Sequence, residues 1–232
     1  MRIHGFNKTT LLDYPKHLAS TIFIGSCNMR CPFCHNSSLV LHPEAVPTIA
    51  IEDVLSHLNK RKNILEGVCI TGGEPTLFPD ELAQLIKSIK DIGLKVKLDT
   101  NGSNPALLKS LVKNKLLDYV AMDIKNSKES YGLSIGIKNY NTNKVNESIE
   151  YLLTSPLDYE FRTTIVKEHH TSEDILSIGQ WIKGANSYYL QSYKDSGDII
   201  AAGLHSHSKD TLEAFAQLLI PYVKTVELRG ID

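Results

Sequence analysis

Cys27-Asn28-Met29-Arg30-Cys31-Pro32-Phe33-Cys34 follows a strand-like run, Ser20–Gly25, and sets three thiols at spacing CxxxCxxC. A loop this short can fold three sulfurs toward one point, and Pro32 stiffens it. A cubane iron–sulfur cluster takes four ligands, usually all Cys thiolates, so three from the protein leave one iron open to a substrate or second cofactor. A structural zinc site would need a fourth protein ligand. A redox pair needs only two thiols.

Outward from this loop, strand-like and helix-like patterns alternate. Val68–Thr71, Leu94–Leu98, Tyr119–Met122, Tyr159–Val166 and Ser187–Leu190 read as further strands, and Thr225–Leu228 as one more short one. Asp80–Ile92 carries Leu82, Leu85, Ile86 and Ile89 at helical spacing, with Gly93 as its stop. Asn104-Pro105 opens a helix as N-cap and first-turn proline. Val145, Ile149, Leu152 and Leu153 mark another, Ser172–Lys183 a third, and Ser208–Val223 the last, broken late by Pro221. Strand–helix alternation repeated six times predicts an α/β fold with parallel pairing and right-handed crossovers. The chain, 1–232, reads as one domain, with 1–19 as an extension forming a hairpin or arm. Ile124–Asn143 lacks any pattern and reads as a mobile loop.

With 25 basic and 26 acidic side chains the formal charge is −1. That balance argues against nucleic-acid or membrane partners. No apolar run has the length of a membrane span and no signal-peptide core opens the chain, so the expected location is cytoplasmic. Four Cys, three of them clustered, do not suit a disulfide framework. Cys69, inside the apolar run Gly67-Val68-Cys69-Ile70, reads as a buried structural thiol.

The remaining distinctive residues fall at the carboxyl ends of the expected strands, the face that carries active sites in α/β barrels. They are Thr71-Gly72-Gly73-Glu74-Pro75, Asp99-Thr100-Asn101-Gly102, Met122-Asp123-Ile124-Lys125, Arg162 on the fifth strand and Gln191-Ser192-Tyr193. His169-His170, His205 and His207 read as loop residues.

CxxxCxxC with Phe33 before its last Cys resembles the signature of the radical S-adenosylmethionine (radical SAM) superfamily. The resemblance implies a partial (β/α)6 barrel. It implies a [4Fe–4S] cluster on Cys27, Cys31 and Cys34 whose open iron chelates the methionyl group of S-adenosylmethionine (SAM). Gly72-Gly73-Glu74-Pro75 is similar to the superfamily's GGEP motif. Its glycines would let the backbone meet the methionyl ammonium, with Glu74 as a nearby acceptor. Phe33 would flank the adenine. Asp99 and Asp123 could hold a monovalent cation, and Lys125 would meet the SAM carboxylate. Arg162 would contact the ribose or carboxylate region, and Gln191 the polar rim of the cofactor.

Lys8-Thr9-Thr10-Leu11-Leu12-Asp13-Tyr14-Pro15, Val96–Pro105 and Tyr119–Lys125 are similar to the activating proteins of anaerobic ribonucleoside-triphosphate reductase, of the pyruvate formate-lyase activase type. That likeness implies installation of a glycyl radical on a partner enzyme, with a flavodoxin- or ferredoxin-like electron donor. Departures are Cys69, where an ordinary hydrophobe is expected, and Lys16-His17 after Pro15, where a glycine is common. Two other readings stand beside it. One is a radical SAM enzyme acting on a small molecule, carboxy-deazaguanine-synthase-like. The other is a non-enzymatic cluster or zinc module, which leaves the GGEP and Met122–Lys125 segments unexplained.

Overall fold

The computed structural model describes residues 1–231. Its strands are β1 (Ile3–Thr10), β2 (Ala19–Ile24), β3 (Gly67–Gly72), β4 (Lys95–Thr100), β5 (Tyr119–Asp123), β6 (Asp158–Ile165), β7 (Ser187–Ser192) and β8 (Thr225–Arg229). They hydrogen-bond in chain order as one eight-stranded sheet. Residues Met1–Asn28 with Ser38–Ala121 form one compact unit, and Met29–Ser37 with the chain from Met122 onward form a second.

In the first unit β1 runs antiparallel to β2, so the amino-terminal extension is an arm that pairs with the expected first strand rather than a hairpin of its own. β2, β3 and β4 are parallel, with Ala19 opposite Gly67 and Gly67 opposite Lys95. Ile22, Ile24, Val68, Cys69, Ile70, Val96 and Leu98 are fully buried, as expected for parallel strands covered on both faces. The crossover between β3 and β4 is α3 (Pro79–Asp91), which buries Leu82, Leu85, Ile86 and Ile89 along one stripe. Each such side chain contributes roughly 1.5–3 kcal/mol on burial. Proline opens α3 and Gly93, at φ +97°, lies just beyond its end. α4 (Pro105–Lys113) is capped as expected, the Asn104 side chain accepting from the Leu107 amide at 3.2 Å.

Two elements of this unit were not read from the sequence, α1 (Ser37–Leu41, whose first residue belongs to the second unit) and α2 (Ile51–Arg61). α2 sets Ile51, Val54, Leu55 and Leu58 at helical spacing and buries Val54 and Leu58, a legible pattern that was passed over. Tyr14-Pro15-Lys16-His17 closes with a 3.1 Å bond from the His17 amide to the Tyr14 carbonyl. Proline at its second position and φ +66° at Lys16 make the pattern of a type II turn.

In the second unit β6, β7 and β8 are parallel, Phe161 pairing with Tyr188 and Ser187 with Thr225. α6 (Asn143–Thr154), α7 (Ser172–Trp181) and α8 (Lys209–Leu219) fall where the periodicity puts them. α8 stops before Pro221 rather than running on to Val223. α7 starts on a capping box in which Thr171 and Asp174 bond reciprocally.

The stretch 124–143 is not the open loop expected. It holds α5 (Tyr131–Ile135), and Ile124, Asn126, Ser127, Tyr131, Ser134 and Ile135 are buried. Asn126 donates to Ser134 Oγ at 2.9 Å and to the His169 carbonyl at 2.7 Å, and Ser127 Oγ donates to Asp174 at 2.7 Å. Its polar side chains are satisfied inward, which leaves no amphipathic period to read.

Candidate functional site

β2, β3 and β4 run parallel, so their carboxyl ends share one edge of the first unit. That edge carries Cys27, Gly72–Glu74 and Asp99–Asn101. Gly72 sits at φ +117°, and a Cβ there would come within 2.4 Å of the Ile24 backbone. At Gly73 the added atom would lie 1.9 Å from the Ser26 carbonyl oxygen. The two glycines thus let β3 close against the chain entering the Cys loop. The amides of Gly73 and Glu74 are spent there, donating to Ile24 O and Ser26 O respectively, each at 2.8 Å.

Glu74 is 1 % exposed. Its Oε1 accepts from the Thr76 amide (3.1 Å), Thr76 Oγ1 (2.5 Å) and Thr100 Oγ1 (2.8 Å), and its Oε2 from the Asn101 amide (2.6 Å). Four donors match the roughly four lone-pair sites of a carboxylate. The Glu74 carboxylate is therefore a tie between the ends of β3 and β4, a role the sequence reading did not foresee. Burial pushes its carboxyl above the ordinary range, and the four hydrogen bonds only partly offset that.

Asn101 was missed as a functional candidate. Its Nδ2 donates to Asn28 Oδ1 at 2.9 Å and lies 3.9 Å from the Cys27 sulfur. Asn28 in turn donates to Ser103 Oγ at 2.9 Å. The only sequence signal was an Asn-Gly pair, which reads first as a turn. Deeper on β4, Lys97 Nζ pairs with Asp99 Oδ1 at 2.6 Å, and Cys69 Sγ lies 3.5 Å from the same oxygen. Cys69 is fully buried, as expected of a structural thiol.

In the second unit Asp123 collects two cations. Lys125 Nζ donates to Oδ2 at 2.9 Å and Arg162 Nε to Oδ1 at 2.5 Å. Burial alone would raise the Asp123 carboxyl, but Arg162 and then Lys125 hold it well below the usual range. Burial opposes the Lys125 charge, and the Asp123 carboxylate outweighs it and raises the ammonium. Gln191 is half-buried on β7, in register with Arg229 of β8.

Cys31 and Cys34 are joined by a 3.0 Å bond from the Cys34 amide to the Cys31 carbonyl, which turns the loop between them. Burial pushes the Cys31 thiol up to about 11, against a lowering by Lys125, and raises Cys34 as well. Phe33 is buried edge-on against the rings of His169 and His170, at centroid distances of 5.5 and 6.1 Å. His170 Nδ1 accepts from the Val166 amide at 3.0 Å, and Nε2 faces the Lys125 carbonyl at 3.0 Å. Both histidines lie in the connection between β6 and α7, as expected of loop residues, and are buried there as supports. His35 stacks on Tyr193, whose hydroxyl is buried without a hydrogen-bond partner.

All four cysteines are free thiols. Among the described residues no three His, Cys, Asp or Glu side chains converge closely enough for a single metal ion. A cluster gives each iron its own thiolate, so its ligands need not meet at one point. In the second unit the thiols of Cys31 and Cys34, the Lys125 charge that acts on both and the orphaned Tyr193 hydroxyl fit an iron–sulfur cluster and a charged, polar cofactor, and Cys27 is a third soft donor in the same loop sequence.

The sequence pattern of the Radical SAM superfamily matches residues 21–182. The chain belongs to the radical SAM superfamily. A Methanocaldococcus jannaschii protein, provisionally named a glycyl-radical enzyme activating enzyme, is 30% identical across 99% of this radical SAM chain and 96% of its own length. The pyruvate formate-lyase-activating enzyme of Clostridium pasteurianum is 29% identical over 53% of the chain and 52% of its own. Streptococcus suis SuiB, in a crystal structure bound to S-adenosylmethionine, superposes with a TM-score of 0.68 at 14% identity. The match covers 90% of this chain and 52% of SuiB. The fold is thus the α/β fold of radical SAM enzymes, and no helix among the described residues is long and apolar enough to cross a membrane.

Proposed function

We propose that this chain is a radical SAM activase that installs a glycyl radical on a partner enzyme, anaerobic ribonucleoside-triphosphate reductase. The observation that carries the reading is the 30% identity to an activating-type relative over 99% of the chain. Cys27, Cys31 and Cys34 are the residues that would hold a [4Fe–4S] cluster. Bound there, such a cluster would supply the electron for reductive cleavage of SAM.

The chain's own residues bind and orient. Lys125 has three ammonium donors, of which Asp123 engages one at 2.9 Å, and it meets the SAM carboxylate. Arg162, fixed on the same aspartate, lies toward the ribose or carboxylate. The carbonyls of Gly72 and Gly73 receive the methionyl ammonium, while Glu74 acts through them by holding the turn. Phe33, braced by His169 and His170, flanks the adenine, and Gln191 completes the polar rim. A flavodoxin- or ferredoxin-like protein is the electron donor, and the setting is the cytoplasm, where thiols stay reduced.

The test is anaerobic electron paramagnetic resonance on the reconstituted chain with SAM, reductant and the reductase. A glycyl doublet on the reductase is expected. Deoxyadenosine release with no radical on any co-encoded glycyl radical enzyme would overturn the reading in favour of a small-molecule substrate.

A further inference from the structure

Between β7 and α8 the chain runs from Lys194 to Ser208 with no helix or strand, and it crosses the Cys loop of the same unit. The Ala201 amide donates to the Pro32 carbonyl at 2.9 Å, inside the turn that joins Cys31 to Cys34. Ser37 donates from its amide to the Asp198 carbonyl at 3.4 Å and from Oγ to Asp198 Oδ1. His35 Nε2 faces the Lys194 carbonyl at 2.7 Å. The far end is fastened to the connection after β6. There the Lys167 amide donates to the His205 carbonyl and the His205 amide to Glu168 Oε2, each at 2.9 Å, while His205 Nδ1 faces Glu168 Oε1 at 2.7 Å. Gly197 at φ +82° and Gly203 at φ +81° flank Asp198-Ile199-Ile200-Ala201-Ala202, and a Cβ on either would meet nothing within 4 Å. Packing does not call for glycine there; a left-handed backbone does. Beneath this segment Cys31 is buried, and Phe33 is held by the His169 and His170 rings. A cluster site needs an entry path. The covering segment is largely exposed and its outer fastening is a surface ion pair, a kind worth little, so it is the part that opens at low cost.

We propose that residues 194–207 are a hinged strap that guards the Cys31–Cys34 turn. It swings at Gly197 and Gly203, and iron and sulfide enter and leave the turn when it is lifted. The clasp between His205 and Glu168 sets how often that happens. Both residues act through the strap and are positioning residues. The inference rests on the reading of Cys31 and Cys34 as cluster ligands.

The experiment follows two quantities on the anaerobically reconstituted protein. One is hydrogen exchange of the strap by mass spectrometry. The other is the rate at which the ferrous chelator bathophenanthroline disulfonate removes iron. Iron release should reach a plateau as chelator is raised, because lifting of the strap then limits it. Glu168→Ala, and His205→Ala from the strap's own side, should speed strap exchange and raise that plateau by the same factor. The factor is roughly three- to tenfold, the scale of one charged hydrogen bond at a partly exposed site. Trp181→Phe, which loses the 2.8 Å bond from Nε1 to Asn146 Oδ1 elsewhere in the unit, should change neither. Release that climbs in proportion to chelator without a plateau overturns the proposal, and this arm needs no variant. So does faster strap exchange without faster iron release, strap exchange that neither clasp variant alters, or an equal response to Trp181→Phe. A chain that takes up no iron overturns the ligand reading and the guard with it, and iron content tells that failure from the others.

Discussion

Glu74 Oε2 accepts the backbone amide of Asn101 at 2.6 Å, tying the turn after β3 to the turn after β4. Asn101 then reaches Asn28 and the sulfur of Cys27. Three sequence motifs that look independent along the chain are therefore links of one hydrogen-bonded chain in the first unit. The strain-prone element is Gly72-Gly73, and Glu74 is what fixes it.

Replacing Glu74 with Gln turns one acceptor oxygen into a donor that faces donors. The expected loss is about 1–3 kcal/mol, the cost of unsatisfied buried groups. Denaturant unfolding of the two proteins measures it. Equal stabilities would mean that the four contacts contribute little.

Each of Cys27→Ala, Cys31→Ala and Cys34→Ala should abolish SAM cleavage and lower bound iron, while Cys69→Ala should retain both. Cys69 lies between Lys97 and Asp99 in the core, on β3 rather than in the loop. Iron and sulfide analysis after anaerobic reconstitution decides it. A Cys69 variant without iron, beside a Cys34 variant that keeps it, would reassign the ligands.

Much of this was legible because strands announce themselves by composition and motifs by spacing. Ser20–Gly25 and Thr225–Leu228 coincide with β2 and β8 to within a residue or two. What stayed hidden was inward polarity. Asn126, Ser127 and Ser134 look like loop residues because no periodicity marks a segment that buries satisfied polar groups. Glu74 was read as facing a ligand because sequence gives its charge but not its four donors. His169 and His170, beyond β6, gave no spacing signal, since their partners come from distant stretches of chain, and the Lys97–Asp99 pair on β4 was passed over although it stands at strand spacing.

Lys125→Ala should weaken SAM binding by about 1.5–3 kcal/mol through loss of a charge-assisted contact. Iron content should stay unchanged, because Arg162 still compensates Asp123. Titration calorimetry on the reconstituted protein reads the affinity. An unaltered value would sink the assignment of Lys125 to the cofactor carboxylate.

Lys16 occupies the left-handed region at φ +66° in an exposed turn. A non-glycine residue there costs roughly 1–2 kcal/mol. Glycine removes that strain but gives the unfolded chain about 0.4–1 kcal/mol more conformational freedom. Lys16→Gly should therefore stabilise by up to about 1.6 kcal/mol, and Lys16→Val should destabilise. Thermal midpoints that rank Val above Gly would contradict the turn assignment.

His170 gives the chain an acid sensitivity with a defined window. Its Nδ1 lies 3.0 Å from the Val166 amide and 3.2 Å from the Val166 carbonyl, and its Nε2 faces the Lys125 carbonyl at 3.0 Å. Burial lowers the ring from 6.5 to about 4, outweighing the two carbonyls, which favour the charged form. Because the folded value lies below the unfolded one, the unfolded chain binds more protons between them. Stability is full above the unfolded value and falls as pH drops from about 6.5 toward about 4. The loss can reach about 3 kcal/mol. His170→Gln keeps one acceptor and one donor without a titrating ring, so its stability should vary less across that window. Urea unfolding of both proteins from neutral pH down to pH 5 separates them. Parallel curves would show that other groups carry the acid loss.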